Sequence, residues 1–279
     1  MAIDLVTKFA TKVDEIFTQE SKRDLLTNRD YDWDGAHTVK VYKVSTVEMT
    51  DYDRAGTGGK VSRYGDSGAL NATTEELTLK KDRSFTFTID KLDTDETGNV
   101  LNGAGALARQ EREVIIPEVD AYTYGVIIDN AGTKPAEVEL TADNIYDEIL
   151  KATEALDNAL VPETSRVLVV TPDIYRIMKK STEIVLDSDI GEKMRLKGVI
   201  GTLDGMTVIK VPAVRLPEGF GFLVAHPCAT IAPVKLEDCK LHQDPPGISG
   251  CLVEGRVVYD AFVLDNKKKA IYYQAVPTA

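Results

Sequence analysis

The chain has 279 residues, long enough to bury a sizeable core in one or two domains, and a formal net charge of -12, which argues against a broad electrostatic grip on nucleic-acid phosphates. No basic start leads into an apolar stretch and no long uncharged apolar run occurs, so secretion and membrane spanning have no support. The three cysteines, Cys228, Cys239 and Cys251, are an odd number at no familiar spacing and suit reduced thiols in a cytoplasm.

The first element expected is an amphipathic helix from Ile3 to Gln19, with Val6, Phe9, Val13, Ile16 and Phe17 on one stripe. Leu25 and Leu26 lead into a turn-rich leader, Thr27 to Gly35, with little core of its own, so this helix is read as an arm that docks on another subunit. Thr38 to Val47 alternates between apolar and polar residues. From Glu76 to Asp90 the even positions are polar, while the odd ones hold Leu77, Leu79, Phe85, Phe87 and Ile89 around Lys81 and Arg83. At about 3.3 Å per residue, one strand of this length is far longer than usual. Joined through the glycine-rich segment Thr50 to Thr74, the two runs predict a long hairpin arm whose odd-numbered face, those five side chains, lies on a neighbouring subunit. The alternative is a large sheet inside one ordinary domain.

Thr97 to Asn130 favours helix, which Pro117 should kink or split; Gly132 is a stop signal and Lys134-Pro135 begins a linker. An α/β pattern follows. Thr141 can cap a helix through Ile145, Ile149, Ala152, Leu156 and Leu160; Arg166 to Val170 is a buried type of strand; Pro172 opens a helix through Ile174, Ile177 and Met178. From Gly198 onward the texture is β: Val199-Ile200, a turn at Asp204-Gly205, Thr207 to Val211, Phe220 to Ala225, Ile231 to Leu241, Cys251 to Leu264 and Ala270 to Ala275, with a hairpin turn at Asp265-Asn266.

Candidate chemistry is sparse. Gly56-Thr57-Gly58-Gly59-Lys60-Val61-Ser62 resembles a phosphate-binding loop, but Val61 replaces the magnesium-holding hydroxyl, Arg54 the first glycine, and no helix-forming run follows. Asp30, Asp32, Asp34 and Gly35 match half a calcium loop whose twelfth position, Val41, lacks the bidentate carboxylate. Asp93 to Gly98 is weaker, with Ala104 at that position, and Asx turns account for both clusters. His226, Cys228, Cys239, His242 and Cys251 invite zinc, yet no C-x-x-C pair anchors them, and in a strand Cys239 and His242 face opposite ways. No G-x-S-x-G occurs, Gly103-Ala104-Gly105 lacks the third glycine of a dinucleotide loop, and acids are too abundant for a catalytic pair to stand out. The expectation is therefore no catalytic residues, no metal and no cofactor.

The order of elements, with three specific stretches, resembles the major capsid proteins of tailed bacteriophages and prophages, the Hong Kong 97-like fold. Leu107-Ala108-Arg109-Gln110 through Val119-Asp120-Ala121-Tyr122 is similar to that family's spine helix, Arg166 to Pro172 to the strand and turn of its axial domain, and Gly198 to Pro212 to its small-hairpin segment. The resemblance implies an α+β fold with an N-terminal arm (residues 1–37), an extended hairpin loop (38–96), a spine helix (97–133), an axial domain (134–225) and peripheral-domain strands (226–279). It implies a non-enzymatic subunit that assembles with copies of itself, as hexamers and pentamers, into an icosahedral virion shell. Portal and scaffolding proteins and packaged double-stranded DNA, held by weak non-specific contact, would be its further partners, with assembly in the host cytoplasm. Because Met1 opens directly on the arm, any scaffold is expected to be a separate protein. The family's isopeptide chemistry is not carried over, since Lys60 has no marked Asn partner or base. An encapsulin-like nanocompartment and a soluble α/β enzyme are the alternatives.

Overall fold

The computed structural model describes residues 21–28, 30–31, 38–56, 62–64, 69–97, 102–181, 184 and 199–277. The chain divides into two units, residues 33–79 and the remainder. The smaller is an antiparallel hairpin of β1 (Thr38–Val44) and β2 (Ala72–Thr78), registered with Thr38 opposite Thr78 and Val44 opposite Ala72.

The larger unit begins its sheets with β3 (Lys81–Asp90), and this corrects the expectation of one long strand: the alternating stretch breaks between Thr78 and Lys81. The break has a chemical cause. Asp260, 3% exposed, needs donors for its buried carboxylate and takes one from the Lys80 amide at 2.8 Å, together with the Tyr122 hydroxyl at 2.7 Å and the Ala261 amide at 2.8 Å. Beyond that anchor, β3 pairs antiparallel with β10 (Gly250–Tyr259), whose other side carries β9 (Val234–Gln243).

A short helix, α1 (Lys91–Glu96), follows β3, capped by the Asp90 carboxylate on the Leu92 amide at 2.8 Å. Then comes a helical run from Gly103 to Asp129. It consists of α2 (Gly103–Gln110), a π-helical turn (Glu111–Ile115) and α3 (Ile116–Asp129), and Asn102 caps its start by accepting from the Gly105 amide at 2.7 Å. Pro117 does not split this helix. In a straight α-helix its ring would meet the carbonyl of Glu113; here the backbone immediately before it is widened, with the Ile116 amide bonded five residues back to Glu111.

The largest sheet has the order β12 (Ile271–Ala275), β7 (Phe220–Ala225), β4 (Val167–Val170), β6 (Met206–Lys210), β5 (Val199–Leu203). β4 runs parallel to β6 and the other pairs are antiparallel. Val-Leu-Val-Val in β4 and Phe-Gly-Phe-Leu-Val-Ala in β7 are apolar throughout because both faces are covered. On one face Leu168, Val170, Phe222 and Val224 pack with Ile149 and Leu156 of α4 (Ile145–Asn158) and Met178 of α5 (Pro172–Lys180); on the other, Val167, Val169 and Leu223 pack with Tyr124, Ile127 and Ile128 of α3. Pro172 opens α5 as expected from the sequence, and Thr171 caps it by accepting the Ile174 amide on its hydroxyl at 3.2 Å. α4 instead starts at Ile145 after Asn144; Thr141 donates its amide to the Asn144 side chain at 2.8 Å and accepts the Ile145 amide on its carbonyl at 3.1 Å. A two-stranded ladder of β8 (Thr230–Ile231) and β11 (Phe262–Val263) completes the strands.

The leader is part of this core rather than a bare tether. Leu26 is fully buried against α3 and the sheet, and Asn28 bridges to Ile231. Ser21 donates to Asp120 at 2.6 Å, and Asp120 also pairs with Arg215 at 2.8 Å; both charged residues are buried. Burial holds the Asp120 carboxyl above the ordinary range despite Arg215, and raises the Tyr124 hydroxyl beside it.

Gly132 is needed for close packing rather than as a helix stop. Its amide donates to the Lys268 carbonyl at 2.9 Å, and an added Cβ would lie 2.5 Å from that peptide's carbon and oxygen. Gly132→Ala should therefore lose on the order of 1 to 3 kcal/mol. Gly125→Ala, where an added Cβ meets nothing within 4 Å, should be neutral or gain up to about 1 kcal/mol of helix propensity. Denaturant titration of the two variants reads the contrast, and equal stability would show that the Lys268 turn yields freely.

Candidate assembly surface

The β3–β10–β9 sheet has one apolar and one polar face. Its odd-numbered face brings Phe85, Phe87 and Ile89 beside Val253, Val257, Tyr259, Leu241 and Cys251, by the period of two and the observed register. The helical run Gly103–Asp129 lies against this face: Val119 packs with Val257 and Tyr259, and a Cβ on Gly103 would sit 2.6 Å from Leu241 and 2.8 Å from Cys251. Phe85 folds over Gly255, its cross-strand partner, where any larger residue would strike the ring; Phe87 stacks 6.2 Å away at 16°. A cleft of about 140 Å³ remains, lined by Phe85, Gln110, Val114, Ile115 and Glu118 among others. The opposite face carries polar pairs: Arg256 on Asp82 at 2.9 Å and Lys240 with Asp238 at 3.1 Å are ion pairs, and His242 lies 3.4 Å from Glu254. Arg256 holds the Asp82 carboxyl below its usual range, but such exposed pairs stabilise little. Near the strand's start, Tyr259 donates to Glu118 at 3.1 Å and burial pushes its hydroxyl up to about 12.

These positions revise the expected arm face. Leu77 and Leu79 are buried, Ile89 is buried, and Phe85 and Phe87 are half-buried on the side that meets the chain's own spine helix. The five do not form one open surface. Val6, Phe9, Val13, Ile16 and Phe17, the N-terminal stripe, lie outside the described residues, as do Asp32, Asp34, Gly35 and Lys60.

In the hairpin unit the open apolar groups are on the even-numbered side. Tyr42 is 73% exposed and Val44 61%, opposite Thr74 and Ala72, while Met49 and Leu70 stand out further along. Lys40–Glu76 at 2.6 Å and Thr38–Thr78 at 2.9 Å share that side, and Lys43–Glu75 at 2.9 Å occupies the other. Beyond the strands, Thr50 donates to the Tyr64 carbonyl at 3.0 Å, the Asp53 amide to the Arg63 carbonyl at 2.9 Å, and Tyr52 meets Tyr64 edge-on at 5.0 Å. The signal for this surface was present in Thr-Val-Lys-Val-Tyr-Lys-Val: the strand is apolar on both sides, since Tyr42 and Val44 interrupt the polar positions.

The zinc candidates are scattered. His226 accepts the Cys228 amide on Nδ1 at 3.1 Å, with burial lowering the imidazole and raising the thiol; Cys239 faces Gly255, and Cys251 faces Gln243 across the ladder. Among the described residues no three His, Cys, Asp or Glu side chains gather as a metal would require, and no helix is long and apolar enough to cross a membrane.

No protein-family model and no curated protein matches the sequence. Solved structures do. One from Mycobacterium phage Che8 is 20% identical with a TM-score of 0.76, covering 98% of each chain. The capsid structure of cyanophage P-SCSP1u is 15% identical at a TM-score of 0.74, covering 99% of this chain and 94% of that one. The mature capsid of bacteriophage PhiM1 is 13% identical at 0.72, covering 99% and 93%. The chain has a phage capsid fold. The likeness runs over nearly the full length of both partners, so hairpin, helical run and sheets together share one α+β architecture with those structures.

Proposed function

We propose that this chain is the major capsid protein of a tailed phage, self-assembling into the icosahedral shell that encloses a double-stranded DNA genome. The full-length likeness to phage capsid subunits carries the reading, and the open apolar side of the hairpin supports it. In this reading residues 134–225, joined by β12, form the axial domain around the axes of hexamers and pentamers. The spine helix with the β3–β10–β9 sheet forms the peripheral part, and residues 38–79 are the extended loop that reaches a neighbour. The half-open rings of Phe85 and Phe87 and the stripe of Val6, Phe9, Val13, Ile16 and Phe17 are further contact points between subunits. The role is structural and not enzymatic. Portal and scaffolding proteins are the other partners, DNA contact is weak for a subunit of charge -12, and assembly takes place in the host cytoplasm before residence in the virion.

The test is light scattering after size exclusion, with electron microscopy, on the protein expressed alone and with its genomic neighbours. Hollow, roughly spherical particles or capsomer rings are expected. A strict monomer across the full concentration range in both settings would overturn the reading, and a shell loaded with a cargo enzyme and lacking DNA would move it to a nanocompartment.

A further inference from the structure

We propose that His226 is an acid-sensitive clip, holding the loop between α4 and β4 to the turn Pro227–Ala229 while its ring is neutral and letting both go when the ring takes up a proton. The inference does not depend on the shell-forming role. His226 follows the last residue of β7 and anchors its own backbone by donating its amide to the Ala270 carbonyl at 3.0 Å. Its ring caps the turn, with Nδ1 accepting the Cys228 amide at 3.1 Å. A backbone amide can only donate, so Nδ1 carries a lone pair and the neutral ring keeps its single proton on Nε2. The ring also hydrogen-bonds the backbone of Thr164 in the α4–β4 loop. One partly buried side chain thus ties together two segments that lie far apart in sequence.

The loop is under strain where it is held. Leu160 and Ser165, near its two ends, have φ of 57° and 65°, the left-handed region that is costly for a residue with a Cβ, and Leu160 is 91% exposed. Arg166 holds the loop's other carbonyls, donating to Val161 at 2.6 Å and Pro162 at 2.9 Å while pairing with Asp157 at 2.7 Å. A proton on Nδ1 takes the acceptor from the Cys228 amide and sets a new cation among Arg166 and Lys267, the charged groups whose fields reach the ring. The carboxylates of the same elements do not offset it: Asp157 is engaged by Arg166, Asp265 by Lys268 at 2.7 Å, and Glu163 is exposed to solvent. Burial lowers the imidazole below its ordinary value, opposed by the Thr164 bond and reinforced by the two cations. The folded chain therefore binds this proton less tightly than the unfolded one. The clip's contribution is fully present above about pH 6.5, the ordinary histidine value, and is lost as pH falls through the lowered folded value. The turn runs straight into β8, where the Thr230 carbonyl takes the Asn28 amide at 2.8 Å, so release in acid loosens the seat of the leader as well.

The experiment is hydrogen–deuterium exchange read by mass spectrometry on the full chain from about pH 8 to about pH 5.5, each rate corrected for its intrinsic pH dependence, in wild type, His226→Asn and His226→Ala. The Asn side-chain oxygen can take the Cys228 amide as Nδ1 does, in an Asx turn, and does not titrate in this range. Wild type should lose protection in residues 159–166 and 227–231 as the pH falls below about 6.5, by no more than about tenfold per pH unit, the limit for one proton. His226→Asn should keep that protection at every pH, and His226→Ala should lack it at every pH. Protection in wild type that does not change with pH, or that is lost over the whole chain at once, would overturn the clip, as would a loss in His226→Asn parallel to that of wild type. Should His226→Asn fail to fold, His226→Ala decides: protection already low at about pH 8 and no lower in acid supports the clip, and a pH-dependent loss matching wild type overturns it.

Discussion

Asp120→Ala is expected to lower the subunit's stability by about 3 to 5 kcal/mol, because it removes the buried carboxylate that pairs with the Arg215 guanidinium and takes the acceptor from Ser21. A loss of that size is a large share of the 5 to 15 kcal/mol or so that holds a typical domain together. Removing both partners, as Asp120→Ala with Arg215→Met, should cost less than removing Asp120 alone, since neither member of the buried pair is then left facing the other's absence. The sign of the pH dependence follows from burial, which raises the Asp120 carboxyl in the folded state. The folded chain therefore holds that proton more tightly than the unfolded one. This group's contribution is fully present below the ordinary carboxylate range and is lost as pH rises through its raised folded value, so Asp120 does not trigger acid unfolding. Urea titrations of wild type and the variants settle the matter. A double variant weaker than Asp120→Ala would show that the pair stabilises through its own attraction instead.

Tyr42→Asp with Val44→Asp is expected to abolish particles while sparing the fold. Both side chains are largely exposed in the hairpin unit, so neither supports the core of its own chain. Burying each against a neighbour would contribute about 1.5 to 3 kcal/mol, repeated at every subunit contact of a closed shell, and a carboxylate in its place reverses the sign. The variant should elute as a soluble subunit with an unchanged melting temperature and no particles at concentrations at least about a hundredfold above the wild-type threshold. Normal shells from this variant would remove the even-numbered side of the hairpin from the assembly contacts.

Local pattern carried much of the architecture. The continuous apolar runs of β4 and β7 already indicate strands covered on both faces, and Thr171-Pro172 marks a helix start that the structure contains at the same residues. Long-range partners carried the remainder. Alternation through Leu79 and Lys80 gives no hint that a carboxylate at Asp260 captures the Lys80 amide, nor that Gly255, some 170 residues on in sequence, waits as the platform for Phe85. The odd-numbered face is apolar, as its alternation indicates, and within the subunit part of it is covered by the chain's own helix Gly103–Asp129, a partner the local pattern does not reveal. Pro117 was a sound signal for a disturbed helix. Its outcome is a π-helical turn instead of a break, with Gly103 against Leu241 and Cys251 on one side of the turn and Val119 against Val257 and Tyr259 on the other.

The position of β12 in the large sheet sets an order of events during synthesis. A ribosome delivers β4, β6 and β7 well before β12, and until Ile271 and Tyr273 arrive, Tyr124 and Leu223 lack part of their cover. The nascent chain thus passes through a stage in which a bare strand edge and an unfinished apolar face coexist with the exposed Tyr42 and Val44 of the hairpin. On a polysome, where many such chains emerge side by side, premature pairing is a hazard.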